Sequence, residues 1–304
     1  MDDFTDKVAL VTGAGSGLGR ALAQRFAAEG MTVVVTDVRL EAAQETVELI
    51  EQDGGRAKAA KVDVTKRAEL EALAGRIDAE LGGVQLLAAN AGVMTSASIL
   101  DGDEAAWRWL VDVNLFGTLS SLQVFVPRML ATGRPGHVVI TASHAALVTW
   151  APHDDNRVVL GSGQPNPLGG TEGYGVTKHA VLAMAELLSA DLAGTPIGVS
   201  VLCPGHFATG IYSNSARLRP EAYGGPMSGD ALEQAATFER LTDEYAASTA
   251  EGTKRPEEAA ARVVHAIREG QFFVMTHPTW REDIDRRRDQ IVAGLADSAA
   301  FSGE

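Results

Sequence analysis

Cysteine is almost absent from this sequence. Cys203 is the only one, so an intramolecular disulfide is excluded. The residues around it, 199–203, form a short apolar run, which predicts a buried core thiol and not a nucleophile. A chain without disulfides is typical of a reducing compartment, and we expect a cytoplasmic protein.

Basic residues are also fewer than acidic ones. The chain has 26 Lys and Arg against 40 Asp and Glu, which gives a net charge of -14. Nucleic acids and anionic membrane surfaces bind basic faces, so neither is expected as a partner. No apolar run approaches the roughly 20 residues of a membrane span. Residues 1–7 are acidic and lack the apolar region of a signal peptide. What the chain does contain is 45% hydrophobic residues, enough for a substantial core.

Glycine is concentrated in one motif near the start of the chain. An apolar run at 8–11 predicts a buried strand, and the pattern at 20–29 predicts a helix that Gly30 ends. Between them lies Thr12-Gly13-Ala14-Gly15-Ser16-Gly17-Leu18-Gly19. Strand, glycine-rich turn and helix is the context in which such a motif binds the pyrophosphate of a dinucleotide. The predicted contacts are Gly13, Ser16, Gly17, Leu18 and Gly19. The alternative is a tight turn that binds no ligand.

An acidic residue follows the second predicted strand, at 32–36. Asp37 stands at the distance downstream at which a carboxylate accepts hydrogen bonds from the adenosine ribose hydroxyls. Because a carboxylate repels the 2′-phosphate of NADP, this position favours NAD. Arg39 offers the alternative of binding that phosphate.

Small and polar residues recur where the other predicted strands end. Asp63 and Val64 follow the strand at 57–62, and Asp63 either meets the adenine amino group or caps the next helix. The strands at 84–88, 138–140 and 197–202 are followed by Asn90-Ala91-Gly92, Ser143 and Thr209. Strands alternate with helices along the chain. This predicts one α/β domain, 1–304, a Rossmann-type doubly wound parallel sheet of about seven strands with helices on both faces. A ligand binds such a sheet beyond the carboxyl ends of its strands.

A tyrosine and a lysine four positions apart, Tyr174 and Lys178, fall on one face of a predicted helix at 174–192. An ammonium near a phenol favours the phenolate, so it lowers the phenol pKa from about 10 toward working pH. Such a phenol can exchange a proton with an alcohol or a carbonyl. As an isolated pattern, the pair is more often a plain surface contact.

Two further segments stand out. Asn114 lies in the middle of a predicted helix at 107–130, where asparagine competes for backbone groups and often simply faces water. The segment at 147–172 is rich in Gly, Pro, Asn and Asp, which predicts a functional lid or a disordered insertion. His153, Asp154 and Asp155 lie within it, and a solvated turn explains them more simply than a metal site. No metal is therefore expected.

Taken together and in this order, the motifs resemble those of the short-chain dehydrogenase/reductase family. The matching residues, as far as about residue 275, are the glycine motif at 12–19, Asn90-Ala91-Gly92, Asn114, Ser143, Tyr174, Lys178, Pro204, Gly205 and Thr209. The resemblance implies that Tyr174 is the general acid and base, and that Lys178 lowers its pKa and holds the nicotinamide ribose.

The same resemblance implies roles for the remaining positions. Ser143 hydrogen-bonds the substrate oxygen, and Asn114 anchors a water that links Lys178 to solvent. Thr209 and the backbone after Pro204, with Gly205 and Phe207, hold the nicotinamide carboxamide.

The chain departs from the family pattern at three places. The family usually has Asn at the position of Ala89 and Ser at that of Ala142. Tyr174 follows Ser143 by 31 positions, a much longer interval than the family's. The extra residues, about 147–172, are expected to border the substrate pocket, as part of its rim or as a lid. The segment at about 206–253 is expected to bind substrate.

A narrower resemblance concerns the segments at 126–130, 133–137 and 217–220 with Tyr223-Gly224. They look like parts of a bacterial branch that includes Cα-dehydrogenases, which oxidise benzylic alcohols of lignin-derived aryl ethers. The expected function is NAD(H)-dependent interconversion of a secondary alcohol and a ketone, on a bulky apolar or aromatic substrate. The alternatives are an NADP-dependent carbonyl reductase and a non-catalytic dinucleotide-binding protein. The family also implies a homodimer or homotetramer, assembled through the long helices that begin near Trp107 and Tyr174.

Overall fold

Seven strands form a single sheet in the computed structural model, which describes residues 1–148, 171–207, 209–248 and 254–301. They are β1 Val8–Thr12, β2 Thr32–Asp37, β3 Arg56–Lys61, β4 Leu86–Ala89, β5 Gly136–Thr141, β6 Ile197–Cys203 and β7 Phe273–Met275. Their order is β3-β2-β1-β4-β5-β6-β7, and every pairing is parallel. The predicted doubly wound sheet is confirmed.

The strand order reverses at β1. Val8 pairs with Thr32 of β2 on one side, and Ala9 pairs with Leu86 of β4 on the other. The connections that leave β1 and β4 therefore diverge, and a crevice opens beyond the carboxyl end of β1. Thr12, the last residue of β1, stands at this crevice.

Helices cover the sheet on both sides. They are α1 Gly17–Ala28, α2 Leu40–Gln52, α3 Arg67–Leu81, α4 Glu104–Leu110, α5 Thr118–Ala131, α6 Glu172–Asp191, α7 Ile211–Leu218, α8 Asp230–Ser248, α9 Pro256–Arg268 and α10 Arg281–Phe301. Short 3₁₀ turns lie at His144–Ala146, Glu221–Tyr223 and Pro278–Trp280. A π-helical stretch, Val111–Gly117, joins α4 to α5.

Alternation along the strands divides the core between the two faces. In β1, Leu10 belongs to the layer shared with α3, α5 and α6, whereas Ala9 and Val11 belong to the layer shared with α1, α2 and α9. All three side chains are fully buried. Strands covered on both faces are apolar along their whole length, which is why they were recognisable as short hydrophobic runs. Cys203 ends β6 as a buried thiol whose pKa burial raises to about 12, in keeping with a core position.

The helix predicted at 107–130 is longer and less regular than expected. It begins at Glu104, where the Asp103 carboxylate accepts a hydrogen bond from the backbone N–H of Ala105 at 3.0 Å. The continuous run Glu104–Ala131 is long and apolar enough to cross a membrane by length and composition alone. Of its most apolar window, 61% is buried inside the fold, as expected of a core helix.

The long interval before Tyr174 is described only at its ends. It begins with the 3₁₀ turn at His144–Ala146, and α6 starts at Glu172. Residues 149–170 lie outside the described part of the chain. The lid interpretation of 147–172 and the metal alternative at His153, Asp154 and Asp155 therefore stay predictions.

Candidate active site

In the turn after β1, several positions have no space for a side chain larger than that of glycine. Gly13 and Gly17 have φ of +63° and +52°, a region that L side chains rarely adopt. A Cβ on Gly13 would lie 2.8 Å from Ala91 Cα, and one on Gly19 would lie 2.2 Å from the Gly13 carbonyl oxygen. α1 begins at Gly17, inside the motif, so its unpaired first N–H groups are available to an anion at the crevice. This turn fits the pyrophosphate of a dinucleotide.

The other residues of the motif frame this turn. Ser16 is the N-cap of α1, and its hydroxyl makes no capping hydrogen bond within the chain. Leu18 packs against the core layer beneath α1. Thr209, from the segment after β6, lies directly over the turn, because a Cβ on Gly17 would be 3.1 Å from Thr209 Cβ. Elements from both halves of the sheet therefore meet here.

Asp37 reaches back from the end of β2 to the glycine turn. One carboxylate oxygen accepts a hydrogen bond from the Gly15 backbone N–H at 3.1 Å, and the other accepts one from the Arg39 backbone N–H at 3.0 Å. A Cβ on Gly15 would lie 2.7 Å from the same carboxylate. The Arg39 residue is exposed. The carboxylate thus lies at the carboxyl end of β2, against the glycine turn.

Asp63 and Val64, which follow β3, have different structural roles. The Asp63 carboxylate accepts hydrogen bonds from the backbone N–H of Thr65 at 3.0 Å and from its hydroxyl at 2.7 Å. It organises the turn before α3, although the N-cap of that helix is Lys66. Val64 is buried, and a Cβ on Gly117 would lie 2.6 Å from its side chain. An adenine contact for Asp63 stays a prediction.

A hydrogen-bond network at the strand ends was missed by sequence reasoning. The hydroxyl of Thr12 accepts hydrogen bonds from the backbone N–H groups of Asn90 and Ala91, at 2.9 and 3.0 Å. The Asn90 amide donates to the Thr12 carbonyl at 3.0 Å and accepts from the Thr141 hydroxyl at 3.1 Å. The available signal was position, since Thr12 and Thr141 end β1 and β5 at the same edge of the sheet. The network fixes the β4 loop against the glycine turn.

Asn114 is fully buried, in the π-helical stretch. Its side chain accepts a hydrogen bond from the Val93 N–H at 2.8 Å and donates to the Val93 carbonyl at 3.0 Å. It also donates to the Thr177 hydroxyl at 3.1 Å. The interpretation of a mid-helix Asn that faces water is therefore wrong. Asn114 ties the loop after β4 to the helix that carries Tyr174 and Lys178.

Lys178 extends from α6 to the end of β5. Its ammonium nitrogen donates to the Thr141 carbonyl at 2.8 Å and lies 5.6 Å from the centre of the Tyr174 ring. A Cβ on Gly92 would be 3.5 Å from this nitrogen. The spacing of four positions therefore brings Tyr174 and Lys178 together as predicted.

The charge states differ from those predicted from the spacing. Burial raises the pKa of Tyr174 to about 12, and a side-chain hydrogen bond with Ser143 acts in the opposite direction. Burial lowers the pKa of Lys178 to about 8. In the chain by itself the loss of hydration disfavours both charged forms, and the lowering of the phenol pKa by Lys178 stays a prediction. A lowered phenol pKa requires further positive charge in the site.

Ser143 is held by the turn that it starts. It is the N-cap of the 3₁₀ turn His144–Ala146, and its hydroxyl accepts a hydrogen bond from the Ala145 N–H at 3.1 Å. The side chain is buried, next to Tyr174. Ser143 and Tyr174 therefore meet in spite of the long interval between them in the chain.

The segment after β6 packs against this turn and against the C-terminal region. The Pro204 carbonyl accepts a hydrogen bond from the His144 N–H at 2.9 Å, and the Gly205 N–H donates to the Thr276 hydroxyl at 3.0 Å. Phe207 is buried. These positions border the crevice opposite β1, where the resemblance places the carboxamide.

The segment predicted to bind substrate forms α7 and α8. The rings of Tyr212 and Phe238 contact each other edge to face, with centroids 4.2 Å apart. The Ser215 hydroxyl accepts a hydrogen bond from the Met94 N–H at 2.9 Å, which fixes α7 beside the β4 loop. Burial raises the pKa of Tyr212 well above its ordinary value, and the neighbouring Tyr174 adds to this shift. Tyr212, one ring of this aromatic pair, is therefore near enough to Tyr174 to interact with it electrostatically.

His206 connects the same segment to α8, since its Nε2 lies 2.7 Å from a carboxylate oxygen of Asp243. Ser213 also donates to the Glu239 carboxylate. Among the described residues, no group of His, Cys, Asp and Glu side chains could hold a metal ion.

Comparison with known proteins agrees with this geometry. Residues 7–153 match the model of the short chain dehydrogenase family. The chain is 29% identical to a C alpha-dehydrogenase from a Sphingobium species, over 97% of this chain and 88% of the relative. It is 38% identical to a 1-deoxy-11-beta-hydroxypentalenate dehydrogenase from Streptomyces avermitilis, over 66% of this chain and 68% of the relative.

A solved structure extends the likeness to the fold. A short-chain dehydrogenase/reductase from Burkholderia phymatum, crystallised in complex with NAD, is 32% identical and superposes with a TM-score of 0.81. The two chains match over 97% of the length of each. With its motifs in this arrangement and its likeness extending over almost the whole chain, the protein belongs to the short-chain dehydrogenase/reductase family and is an oxidoreductase.

Proposed function

We propose that the protein interconverts a secondary alcohol and a ketone with NAD(H), on a bulky apolar or aromatic substrate. The observation that carries the proposal is the convergence of Tyr174, Lys178, Ser143 and Asn114 beside the glycine turn. They come from α6, the turn after β5 and the π-helical stretch. An acid/base site requires such a convergence, here from three separate parts of the chain, whereas a protein that only binds the dinucleotide does not.

Each residue of this site has a separate role in proton transfer. In the oxidative direction the Tyr174 phenolate takes the hydroxyl proton, while Ser143 hydrogen-bonds the substrate oxygen. Protonated Lys178 and the positive charge of an oxidised nicotinamide both favour the phenolate, which opposes the effect of burial. When bound, the nicotinamide supplies the redox step by exchanging a hydride with the carbinol carbon. Asn114 positions α6 through Thr177 and shapes the route along which we propose that Lys178 exchanges protons.

The environment of Asp37 supports NAD as the cofactor. Its carboxylate packs on Gly15 and accepts hydrogen bonds from two backbone N–H groups. A 2′-phosphate would have to approach this charge. Arg20, just after the glycine motif, is engaged within the chain: its Nε donates to the Thr46 hydroxyl at 3.0 Å, and its Nη2 donates to the Gly15 carbonyl and to the Glu45 carboxylate. The relative from Burkholderia phymatum was crystallised with NAD.

The aromatic pair Tyr212 and Phe238 supports a bulky substrate. An edge-to-face pair offers a flat apolar surface on which a second ring can pack. Relatives named for the Cα position and for a hydroxypentalenate are consistent with substrates of this size. We therefore place aryl carbinols first among the candidates.

The decisive experiment is a screen of secondary alcohols, including aryl carbinols, read by NADH absorbance. Tyr174→Phe should lower kcat by about a hundredfold or more, because the proton transfer is lost, and should leave NADH binding near wild type. Thr195→Val is the control, since that hydroxyl donates to the Leu192 carbonyl just before β6, at the end of the strand away from the proposed site. Near-normal turnover in Tyr174→Phe would overturn the assignment of the acid/base.

A further inference from the structure

A side chain from the C-terminal region contacts the residue that follows Ser143. Trp280 ends the 3₁₀ turn Pro278–Trp280, just before α10. Its ring stacks on the ring of His144, with centroids 4.3 Å apart and planes 13° apart. Nearly parallel rings at this distance are in full van der Waals contact. The C-terminal region is therefore packed on the turn that presents Ser143.

His144 connects this stack to the segment after β6. Its backbone N–H donates to the Pro204 carbonyl at 2.9 Å, and its Nδ1 lies 3.1 Å from the same oxygen. A carbonyl only accepts, so Nδ1 carries the hydrogen. Burial lowers the pKa of His144 to about 4, and the ring is neutral at neutral pH. Stacking on one face and a hydrogen bond at one edge leave the imidazole a single orientation.

The far end of the same turn is also held by the C-terminal region. The Arg287 guanidinium, in α10, donates to the Leu147 carbonyl at 2.8 Å. It also donates to Nε2 of His179, in α6, at 2.6 Å. α10 therefore bridges the turn and the helix that carries Tyr174, so the relative positions of Ser143 and Tyr174 depend on it.

We propose that Trp280 is a positioning residue, which acts through His144 to set the distance between the Ser143 hydroxyl and the segment that begins at Pro204. The inference rests on the proposed function, in which Ser143 binds the substrate oxygen and that segment holds the nicotinamide. Removing the indole frees the imidazole to turn, and the Ser143 turn moves with it. A displacement on the order of 1 Å between reacting groups costs about a hundredfold in rate.

The test compares Trp280→Ala with Trp280→Phe, which keeps a flat ring for the stack. Trp280→Ala should lower kcat at least about tenfold and leave the dissociation constant of NADH within about twofold, since Ser143 touches substrate and not the pyrophosphate turn. Trp280→Phe should restore most of kcat. Ile77→Val, a buried change in α3 on the far part of the core, controls for a general loss of stability.

Amide hydrogen exchange provides a readout that needs no substrate. The His144 N–H bonds to Pro204 and the Ala146 N–H bonds to the Ser143 carbonyl. In Trp280→Ala, peptides that cover this turn should exchange faster, with little change in peptides from α3. A wild-type kcat in Trp280→Ala, an equal loss in Trp280→Phe, or unchanged exchange would each refute the inference. If wild type oxidises no alcohol, the proposed function fails, while exchange still decides whether Trp280 holds the turn.

Discussion

Burial changes the acid/base chemistry of Tyr174 and Lys178. Their spacing predicts that they meet, and they do, but the protein alone favours the neutral phenol and a weakly basic amine. The ionisation of both groups should therefore change when a bound cofactor brings positive charge into the site. In this respect Tyr174 differs from an acid/base group that is ionised permanently.

Lys178→Met should stabilise the protein at neutral pH. The pKa of Lys178 in the folded protein, about 8, lies below its ordinary value of 10.5, so the protonated amine is disfavoured by folding. The contribution of Lys178 to the free energy of unfolding of wild type should be lowest below pH 8 and rise toward pH 10.5. The variant should be more stable by up to about 3 kcal/mol at neutral pH, and this difference should shrink as the pH rises.

Urea unfolding at several pH values measures this difference. Lys61→Met, a change at an exposed lysine, serves as the control and should show no such pH dependence. A difference between wild type and Lys178→Met that is the same at every pH would contradict the lowered pKa.

Asp37→Ser should weaken the preference for NADH over NADPH. The change removes the charge that repels a 2′-phosphate and shortens the side chain that would meet the ribose. Loss of a hydrogen bond to a charged group corresponds to a shift of about tenfold or more in the ratio of kcat/KM values. Steady-state kinetics with both cofactors measure this ratio. A clear NADPH preference in wild type would exclude NAD as the cofactor.

The helices α4 and α5 are joined by the π-helical stretch and lie between β4 and β5 in the chain. A π-helical turn adds a residue and rotates the helix face, and such turns are frequent at functional sites. Here the rotation accompanies a fully buried Asn114, which satisfies both backbone groups of Val93 and the Thr177 hydroxyl. The element therefore positions α6 relative to the β4 loop.

Asn114→Ala should destabilise the fold by about 2 kcal/mol, because the partly buried N–H and C=O of Val93 and the buried Thr177 hydroxyl lose their partner. Chemical denaturation measures the change. Gln123→Ala, at an exposed position of α5, is the control and should cost much less. If both variants have the same stability, the hydrogen bonds of Asn114 are not what holds the β4 loop.

The molecule as a whole carries a strong negative charge and exposes several apolar side chains on the long helices. Phe116 is 51% exposed, Val176 in α6 is 50% exposed, and Leu187 is 68% exposed. Together with the family resemblance, this supports assembly through the α4–α5 and α6 helices, because scattered exposed apolar groups on two long helices favour burial against a second copy.

Light scattering should therefore give the mass of a dimer or a tetramer. Leu187→Glu should shift the mass toward that of the monomer, since a carboxylate would be buried at the contact. Leu295→Glu, in α10, is the control at a similarly exposed leucine outside those helices. A monomeric mass for wild type would refute the prediction.

Local patterns predicted much of the fold, and the family resemblance supplied the candidate site residues. Strands buried on both faces appear as short apolar runs, and the glycine turn, Asn114, Ser143 and Tyr174 occur in the family's order. Helix boundaries were less accurate, since α1 begins inside the glycine motif and the helix at Glu104 begins earlier than its apolar pattern. Helix caps and turns depend on single side chains such as Asp103, and the spacing of apolar residues does not predict them.

The chemistry that the chain can perform follows from residue types and their order, because backbone requirements such as positive φ at Gly13 and helical spacing at Tyr174 and Lys178 are local. The charge state of Tyr174, the π-helical turn around Asn114 and the contact of Trp280 with His144 arise from packing between residues far apart in the chain. The loss of hydration around a buried group and the contacts between distant parts of the chain arise only once the chain has folded. For that reason the tertiary structure alone placed the phenol pKa near 12 and brought the C-terminal region to the turn at Ser143.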